Sequence, residues 1–350
     1  MADPFRVAFI GVDHPHGSGW RDSLELLQDE IAVVALAPGF ANSLTSLEER
    51  YASLPRFDSV AELIQWGKFD GAVVCLPNDQ CPQAALELAK AGKAILVEKP
   101  GAGSASDWAC VAREIQERKT PFQSGFMWRY DLAALRLQSM ISEQRFGKLI
   151  SVDMHWVTSD VNRRGPGHYL FDPQVSGRGF FNWLACHWID LLPFVTGRKV
   201  EEVTARVGNF GETSTAVEDG GTAIFHLEGG AQAVFHGGYW LPRWAGESGW
   251  SLFGSSRWVH WRPMAPLTGG VLDIHGPQQQ FQATEEMFIL PKDLVSGYGG
   301  SKTLGLLRDW IAQARGGPPC RNTPQSVLDT LTLLDAIYQS SSEKKTVPIS

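Results

Sequence analysis

Apolar residues come in short unbroken runs over the first third of the chain. Val7-Ala8-Phe9-Ile10 follows Arg6 and stops at Gly11, and later come Ala32-Val33-Val34-Ala35-Leu36, Gly71-Ala72-Val73-Val74-Cys75-Leu76-Pro77 and Ala94-Ile95-Leu96-Val97. Runs this short and this uniformly apolar predict strands buried on both faces. Between them the spacing turns helical, at Asp22 to Gln28, Ser46 to Arg50, Val60 to Ile64 and Pro82 to Ala91, where Ala84, Ala85, Leu88 and Ala89 form one stripe. Strands alternating with single helices and joined by right-handed crossovers make a doubly wound parallel sheet.

From about Leu149 the pattern lengthens and alternates, as in Ile150 to Trp156 and Thr222 to Leu227, with Glu228-Gly229-Gly230 turning the chain into Ala231 to Phe235. Alternation of this kind predicts antiparallel strands with one packed face and one wetter face. Helical spacing returns in Leu304 to Ala314 and in Pro324 to Ser340, where Thr323 can cap the helix and Pro324 suits its first turn. The expected fold class is therefore α/β plus α+β. Residues 1–125 form the parallel-sheet domain, and residues 126–350 form a domain on a large open, mostly antiparallel sheet, with the helices of 304–340 packing back toward the first domain.

Charge and composition narrow the partners. The 350 residues carry 31 Lys and Arg against 38 Asp and Glu, a formal charge of -7, so nothing draws the chain as a whole to nucleic acid or anionic lipid. A hydrophobic share of 43% with 20% charged is that of a globular protein. No apolar run approaches the roughly 18 residues of a spanning helix, and Met1 to Ala8 lack a secretory pattern, so the expected compartment is the cytoplasm. Cys75, Cys81, Cys110, Cys186 and Cys320 form no CxxC pair and leave one over, which argues against a disulfide framework. The nine histidines form no HxxxH or HExxH set, so no metal site is expected.

Open parallel sheets bind ligands beyond the carboxyl ends of their strands, so the strand tips are where chemistry is expected. The first tip, Gly11-Val12-Asp13-His14-Pro15-His16-Gly17, stands where a dinucleotide fingerprint would and keeps its opening glycine. Asp13 replaces the second glycine and His16 the third; Asp13 is expected to turn aside and cap the helix, and His14 or His16 to donate hydrogen bonds. The second tip ends at Ala37, where an NAD site would carry a ribose-binding carboxylate, and no acid is there. The third carries the strongest signal: Glu98-Lys99-Pro100 closes one strand, beside Leu76-Pro77-Asn78-Asp79-Gln80-Cys81 at the end of another. A cationic nicotinamide beside Lys99 would disfavour its ammonium form and suit it to proton transfer, while Glu98 pairs with it or holds the loop.

These segments are similar to the Gfo/Idh/MocA oxidoreductases, a family that includes glucose-fructose oxidoreductase and inositol dehydrogenase. The resemblance runs in order through Leu76-Pro77-Asn78, Ala84 to Gly92 and Glu98-Lys99-Pro100, then Gly125-Phe126-Met127-Trp128-Arg129-Tyr130 and Phe146-Gly147-Lys148-Leu149-Ile150. It continues in Gly177-Arg178-Gly179, in Cys186-His187-Trp188-Ile189-Asp190, and in Asp335-Ala336-Ile337-Tyr338 with Ser340. What it implies is an N-terminal Rossmann domain for NAD or NADP, a C-terminal sheet used for homo-oligomerisation, and Lys99 as the proton-transfer group. It also implies that Gly11, Val12, Asp13, His14, His16, Ala37, Leu76, Pro77, Asn78, Cys81, Glu98 and Pro100 surround the cofactor. His187 is then a second catalytic group, and Arg129 and Asp190 hold polar groups of a small-molecule substrate. The family's histidine after Pro77-Asn78 is Cys81 here, and the aspartate that many members carry four residues before His187 is Trp183.

Tryptophan gives a separate clue. Nine of 13 lie between Trp128 and Trp261, and indole faces suit the C–H faces of sugar rings as well as a sheet core or an interface. Trp128 and Trp183, inside motif segments, are the candidates for substrate contact. The expected activity is hydride transfer between nicotinamide and a carbinol or carbonyl carbon of a sugar or polyol. The competing expectation is a family member without catalysis that senses a ligand or binds a partner; the incomplete fingerprint favours it, and the retained Lys99 and His187 oppose it.

Overall fold

Strands β1 (Phe5–Ile10), β2 (Ile31–Ala37), β3 (Gly71–Val74), β4 (Ala94–Val97) and β5 (Phe122–Ser124) form a wholly parallel sheet in the order β2-β1-β3-β4-β5. The computed structural model describes residues 3–14, 17–37, 39, 50–51, 53–211, 215–265, 267–277 and 285–349. Every residue of β3 and β4 is buried, as their unbroken apolar sequence requires. Helices α1 (Gly17–Glu25), α2 (Val60–Trp66), α3 (Cys81–Lys90) and α4 (Ala105–Arg118) make the connections. The helix expected over 46–50 lies outside the described residues except for Arg50.

Local signals set the helix ends. Ser59 caps α2 by accepting from the Glu62 amide, and Gly67 ends it in the left-handed region. The predicted alanine stripe of α3 is its buried face, together with Cys81 and Pro82. Two elements around the parallel sheet escaped the sequence reading. Helix α4 buries Trp108, Val111, Ala112 and Ile115, a regular helical spacing obscured by five charged residues, and β5 is only three residues long.

Contacts divide the chain into two units, Met1–Tyr130 with Leu294–Asp329, and Asp131–Asp293 with Thr330–Ser350. The first unit thus extends past the sequence boundary at 125 and takes in helix α7 (Ser301–Ala314), numbered after α5 (Leu132–Ser142) and α6 (Cys186–Thr196) of the second. Within it Trp310 of α7 meets Phe5 edge-on at 5.3 Å. Thr323 and Ser326 cap the next helix, α8 (Pro324–Glu343), reciprocally: each amide donates to the other's hydroxyl.

The second unit holds nine strands in the order β13-β12-β11-β10-β6-β9-β8-β7-β14. They are β6 (Leu149–Ser159), β7 (Val200–Gly208), β8 (Gly220–Leu227), β9 (Gln232–Leu241), β10 (Gly246–Gly254), β11 (Trp258–Arg262), β12 (Val271–His275), β13 (Glu286–Ile289) and β14 (Val347–Pro348). All pairs are antiparallel except the central β6–β9 pair. The sheet packs one face: Val152, Met154, Phe235, Trp250 and Trp261 are buried on the side where α6 lies, and the Trp188 indole of α6 sits 5.7 Å from Trp250 and 5.6 Å from Trp261. Much of the tryptophan cluster is therefore core. Among the described residues no helix is long and apolar enough to cross a membrane.

One buried side chain holds several loops of the first unit. Asn322, fully enclosed, donates from Nδ2 toward Gln123 Oε1 and the carbonyls of Ser124 and Phe126. Asn322→Ala leaves those buried acceptors without their donor and is expected to cost about 1–3 kcal/mol, read as a lowered midpoint in urea unfolding of this unit.

Candidate functional site

Side-by-side pairing of β1, β3 and β4 brings their carboxyl ends to one edge: the Cys75 amide donates to Ile10 O, and the Glu98 amide donates to Val74 O. Gly11 opens the first turn at φ +72°, and an added Cβ would stand 2.1 Å from Cys75 O, so both conformation and space demand glycine. The Gly11 amide donates to Ala37 O at 2.6 Å, which fixes the end of β2 beside it. Ala37 lies at that tip, as read from sequence, with its side chain buried.

The Asp13 carboxylate, expected to cap the helix, accepts through Oδ1 from the Gly39 amide at 2.8 Å and ties the first turn to the chain beyond β2. His14 is buried in the same turn and Val12 beside it, while His16 lies outside the described residues. The feature that sequence reasoning missed is Gly17. An added Cβ there would be 2.4 Å from Val12 O, so Gly17, one position after His16, supplies the close approach of helix to strand that a fingerprint's third glycine provides. The turn is one residue longer than the template, and matching at fixed spacing passed over it. With Gly11 and Gly17 placed and the N-terminus of α1 beyond the end of β1, the turn fits a dinucleotide pyrophosphate, held by backbone amides.

Leu76 leans toward both Gly11 and Gly39; Pro77 and Asn78 are buried, and the Pro77 carbonyl accepts the Cys81 amide at the start of α3. Burial, with help from the nearby Glu98 charge, pushes the Cys81 thiol up to about 12, and the Cys75 thiol well above its ordinary range. Both are protonated at neutral pH and behave as small apolar groups. At the end of β4, Glu98 and Lys99 are only 4% and 2% exposed, and the Lys99–Pro100 peptide is cis. The Glu98 carboxylate accepts from the Trp20 indole Nε1 at 2.7 Å.

Trp128 and Arg129 lie on a short 3-10 turn, Met127–Tyr130, and both are buried. Lys302 sits 4.8 Å over the Trp128 ring, and Arg129 Nη1 donates to Arg321 O at 3.2 Å, so each has a partner inside the first unit.

In the second unit His187 and Asp190 occupy one face of α6, as their spacing predicts, and both are buried. The Trp156 ring stacks against His187 at 6.1 Å, and Asp190 Oδ1 accepts from Thr330 Oγ1 at 3.1 Å. A π-helical turn, Phe181–Ala185, leads into α6 and carries Trp183, whose ring meets Tyr169 edge-on. Such turns recur at functional sites. Its anchor is Glu218, which sequence reasoning did not single out: the carboxylate accepts from the Gly179 and Phe181 amides and from Tyr338 Oη. Arg178 stacks on Tyr338 and pairs with Asp335, so the motif residues Arg178, Gly179, Asp335 and Tyr338 belong to one support. A cavity of about 620 Å³ lined by Thr222, His236 and Trp240 opens on the sheet face opposite α6 and includes none of the expected site residues. Among the described residues no group of three or more His, Cys, Asp or Glu is arranged to hold a metal ion.

Residues 5–126 match the profile of the oxidoreductase family with NAD-binding Rossmann fold, and residues 134–260 match that of the GFO/IDH/MocA C-terminal domain. The chain belongs to the Gfo/Idh/MocA family. It is accordingly an oxidoreductase with an NAD-binding Rossmann domain. The chain is 24% identical to the myo-inositol 2-dehydrogenase of Thermotoga maritima over 65% of this chain and 67% of that protein. It is 23% identical to the rhizopine catabolism protein MocA of Rhizobium meliloti over 95% and 93%. A levoglucosan dehydrogenase solved with NADH shares the fold with a TM-score of 0.87 at 15% identity, covering 99% of this chain and 100% of that one.

Two outcomes follow from this Gfo/Idh/MocA site. Gly11→Ala forces a Cβ into Cys75 O, and is expected to weaken NADH binding at least tenfold and to cost about 1–3 kcal/mol of stability, seen by nicotinamide emission and thermal melting. Burial raises the Glu218 carboxyl above the usual 4.5, against the pull of its three donors. A carboxyl raised in the folded state contributes stability in full below its unfolded value and loses it as pH rises through the folded value. Melting of the wild type should therefore fall relative to Glu218→Gln as pH is raised from about 4.5. A constant difference across pH would contradict the raised value.

Proposed function

We propose that this oxidoreductase transfers a hydride between C4 of NAD or NADP and a carbinol or carbonyl carbon of a sugar, cyclic polyol or related small molecule. Lys99 moves the hydroxyl proton. The observation that carries this is the enclosure of Lys99 at the end of β4, beside the ends of β1 and β3. A lysine with only a solubilising role sits in water, whereas a lysine held at the carboxyl edge of an open parallel sheet is where ligands bind. The Gly11 turn and the first turn of α1 hold the pyrophosphate, and the bound nicotinamide supplies or accepts the hydride. In the second unit His187 and Asp190 take substrate hydroxyl groups, with the Trp156 ring fixing the imidazole.

The substrate class is supported by the inositol and levoglucosan dehydrogenases among the relatives. The sheet face turned away from α6, where Met287 and Ile289 stay half exposed, is the surface assigned to self-association. The catalytically silent reading drew on the incomplete fingerprint, and Gly17 removes part of that support.

Titration with NADH and NADPH comes first, and a panel of cyclic polyols and pyranoses then finds the alcohol. Lys99→Met keeps the stem and removes the amine, so cofactor affinity should hold while turnover falls by about 10² to 10⁴. Turnover close to wild type in that variant would remove Lys99 from proton transfer. No binding of either cofactor at millimolar concentration would favour the sensing role.

A further inference from the structure

We propose that Trp20 is a positioning residue for Lys99, acting through Glu98; its catalytic part rests on the role given to Lys99 above. Trp20 lies in the first turn and a half of α1 and is completely buried. Its indole N–H is spent on one acceptor, Glu98 Oε2, at 2.7 Å. Glu98 is bonded through its own amide to Val74 and is followed directly by Lys99, so holding the carboxylate holds the strand end that carries the amine. The clamp closes from a second side. An added Cβ at Gly125 would stand 3.0 Å from Glu98 Oε2 and 3.1 Å from the Lys99 amide nitrogen, so the glycine that opens the Gly125-to-Tyr130 motif leaves room for this carboxylate and this turn.

Trp20 is itself pinned. Its ring meets Tyr298 at 5.8 Å, and the Tyr298 amide donates to Gly19 O. One helix therefore does two things: its N-terminus faces the position of the cofactor phosphates, and a residue a few positions on fixes the group that moves the proton. Only an indole offers both the bulk that fills this buried site and an N–H that reaches across to the carboxylate.

The test reads the position of Lys99 directly. Wild type and Trp20→Phe are labelled with acetic anhydride and the lysine peptides quantified by mass spectrometry, an assay that needs no substrate. Lys99 in Trp20→Phe should label several times faster, with Lys93 and Lys119 unchanged; equal labelling of Lys99, or a general rise at all three, would overturn the proposal. Should Trp20→Phe fold poorly, Gly125→Ala, which presses on the same carboxylate, should give the same selective change, and its failure to do so counts equally against the clamp. Glu98→Gln keeps an acceptor for the indole and should label as wild type does.

Turnover then tests the catalytic part. Trp20→Phe is expected to lower it about 10- to 100-fold with NADH affinity within threefold, and to lower it less than twofold in a Lys99→Met background. Equal losses in both backgrounds would mean that Trp20 acts on something other than Lys99. A Lys99→Met protein with near wild-type turnover would instead remove the role given to Lys99, while the labelling result would still stand for the clamp.

Discussion

A carboxylate enclosed in protein must be met by donors, because the alternative is a desolvated charge that the fold cannot tolerate. Glu98 imposes that requirement on the first unit. Its answer, the Trp20 indole, ties α1 to the strand that follows two crossovers later. Two features of the carboxyl edge go with it: a side chain at Gly125 would press on the carboxylate, and Cys75 and Cys81, kept neutral chiefly by burial, pack nearby. Gly11 adds a more severe steric condition, since the neighbouring carbonyl of Cys75 occupies the space where any Cβ would go.

The second unit solves a similar problem with different chemistry. Glu218 is less fully enclosed than Glu98, and its donors are two backbone amides at the entrance to the π-turn and one phenol from α8. Because those amides belong to the segment that aims α6, the buried carboxyl acts as a fastening for the helix face that presents His187 and Asp190. Tyr338, sandwiched between that carboxyl and the Arg178 guanidinium, links the end of the chain to the same fastening.

The periodic parts of this protein could be read from its sequence. Four apolar runs became the four long-range strands of the parallel sheet, and the alanine stripe became the buried face of α3. Alternation likewise revealed β6, β8 and β9, but β10 carries glycine and serine on both faces and β11 to β13 are only four or five residues long, so these gave no clear period. Of the proposed functional residues, Lys99, His187 and Asp190 could be singled out because each stands in a contiguous motif. Trp20, Glu218 and Asn322 were not, since their partners lie far along the chain and side-chain-to-backbone bonds leave no periodic trace. Gly17 was missed for a simpler reason: the turn is one residue longer than the template.

The parallel pairing of β6 with β9 at the centre of an otherwise antiparallel sheet has a kinetic meaning. Strands that run the same way cannot be joined by a hairpin, so everything between them has to be laid down before the pair can close. Here that includes α6, β7 and β8. Hairpins such as β8–β9 and β10–β11 can form locally and early, but the seam that unites the two halves of the sheet is a distant contact with a large loop-closure entropy. The helix bearing His187 is enclosed in that loop, so its setting against the sheet depends on a contact between strands far apart in the chain.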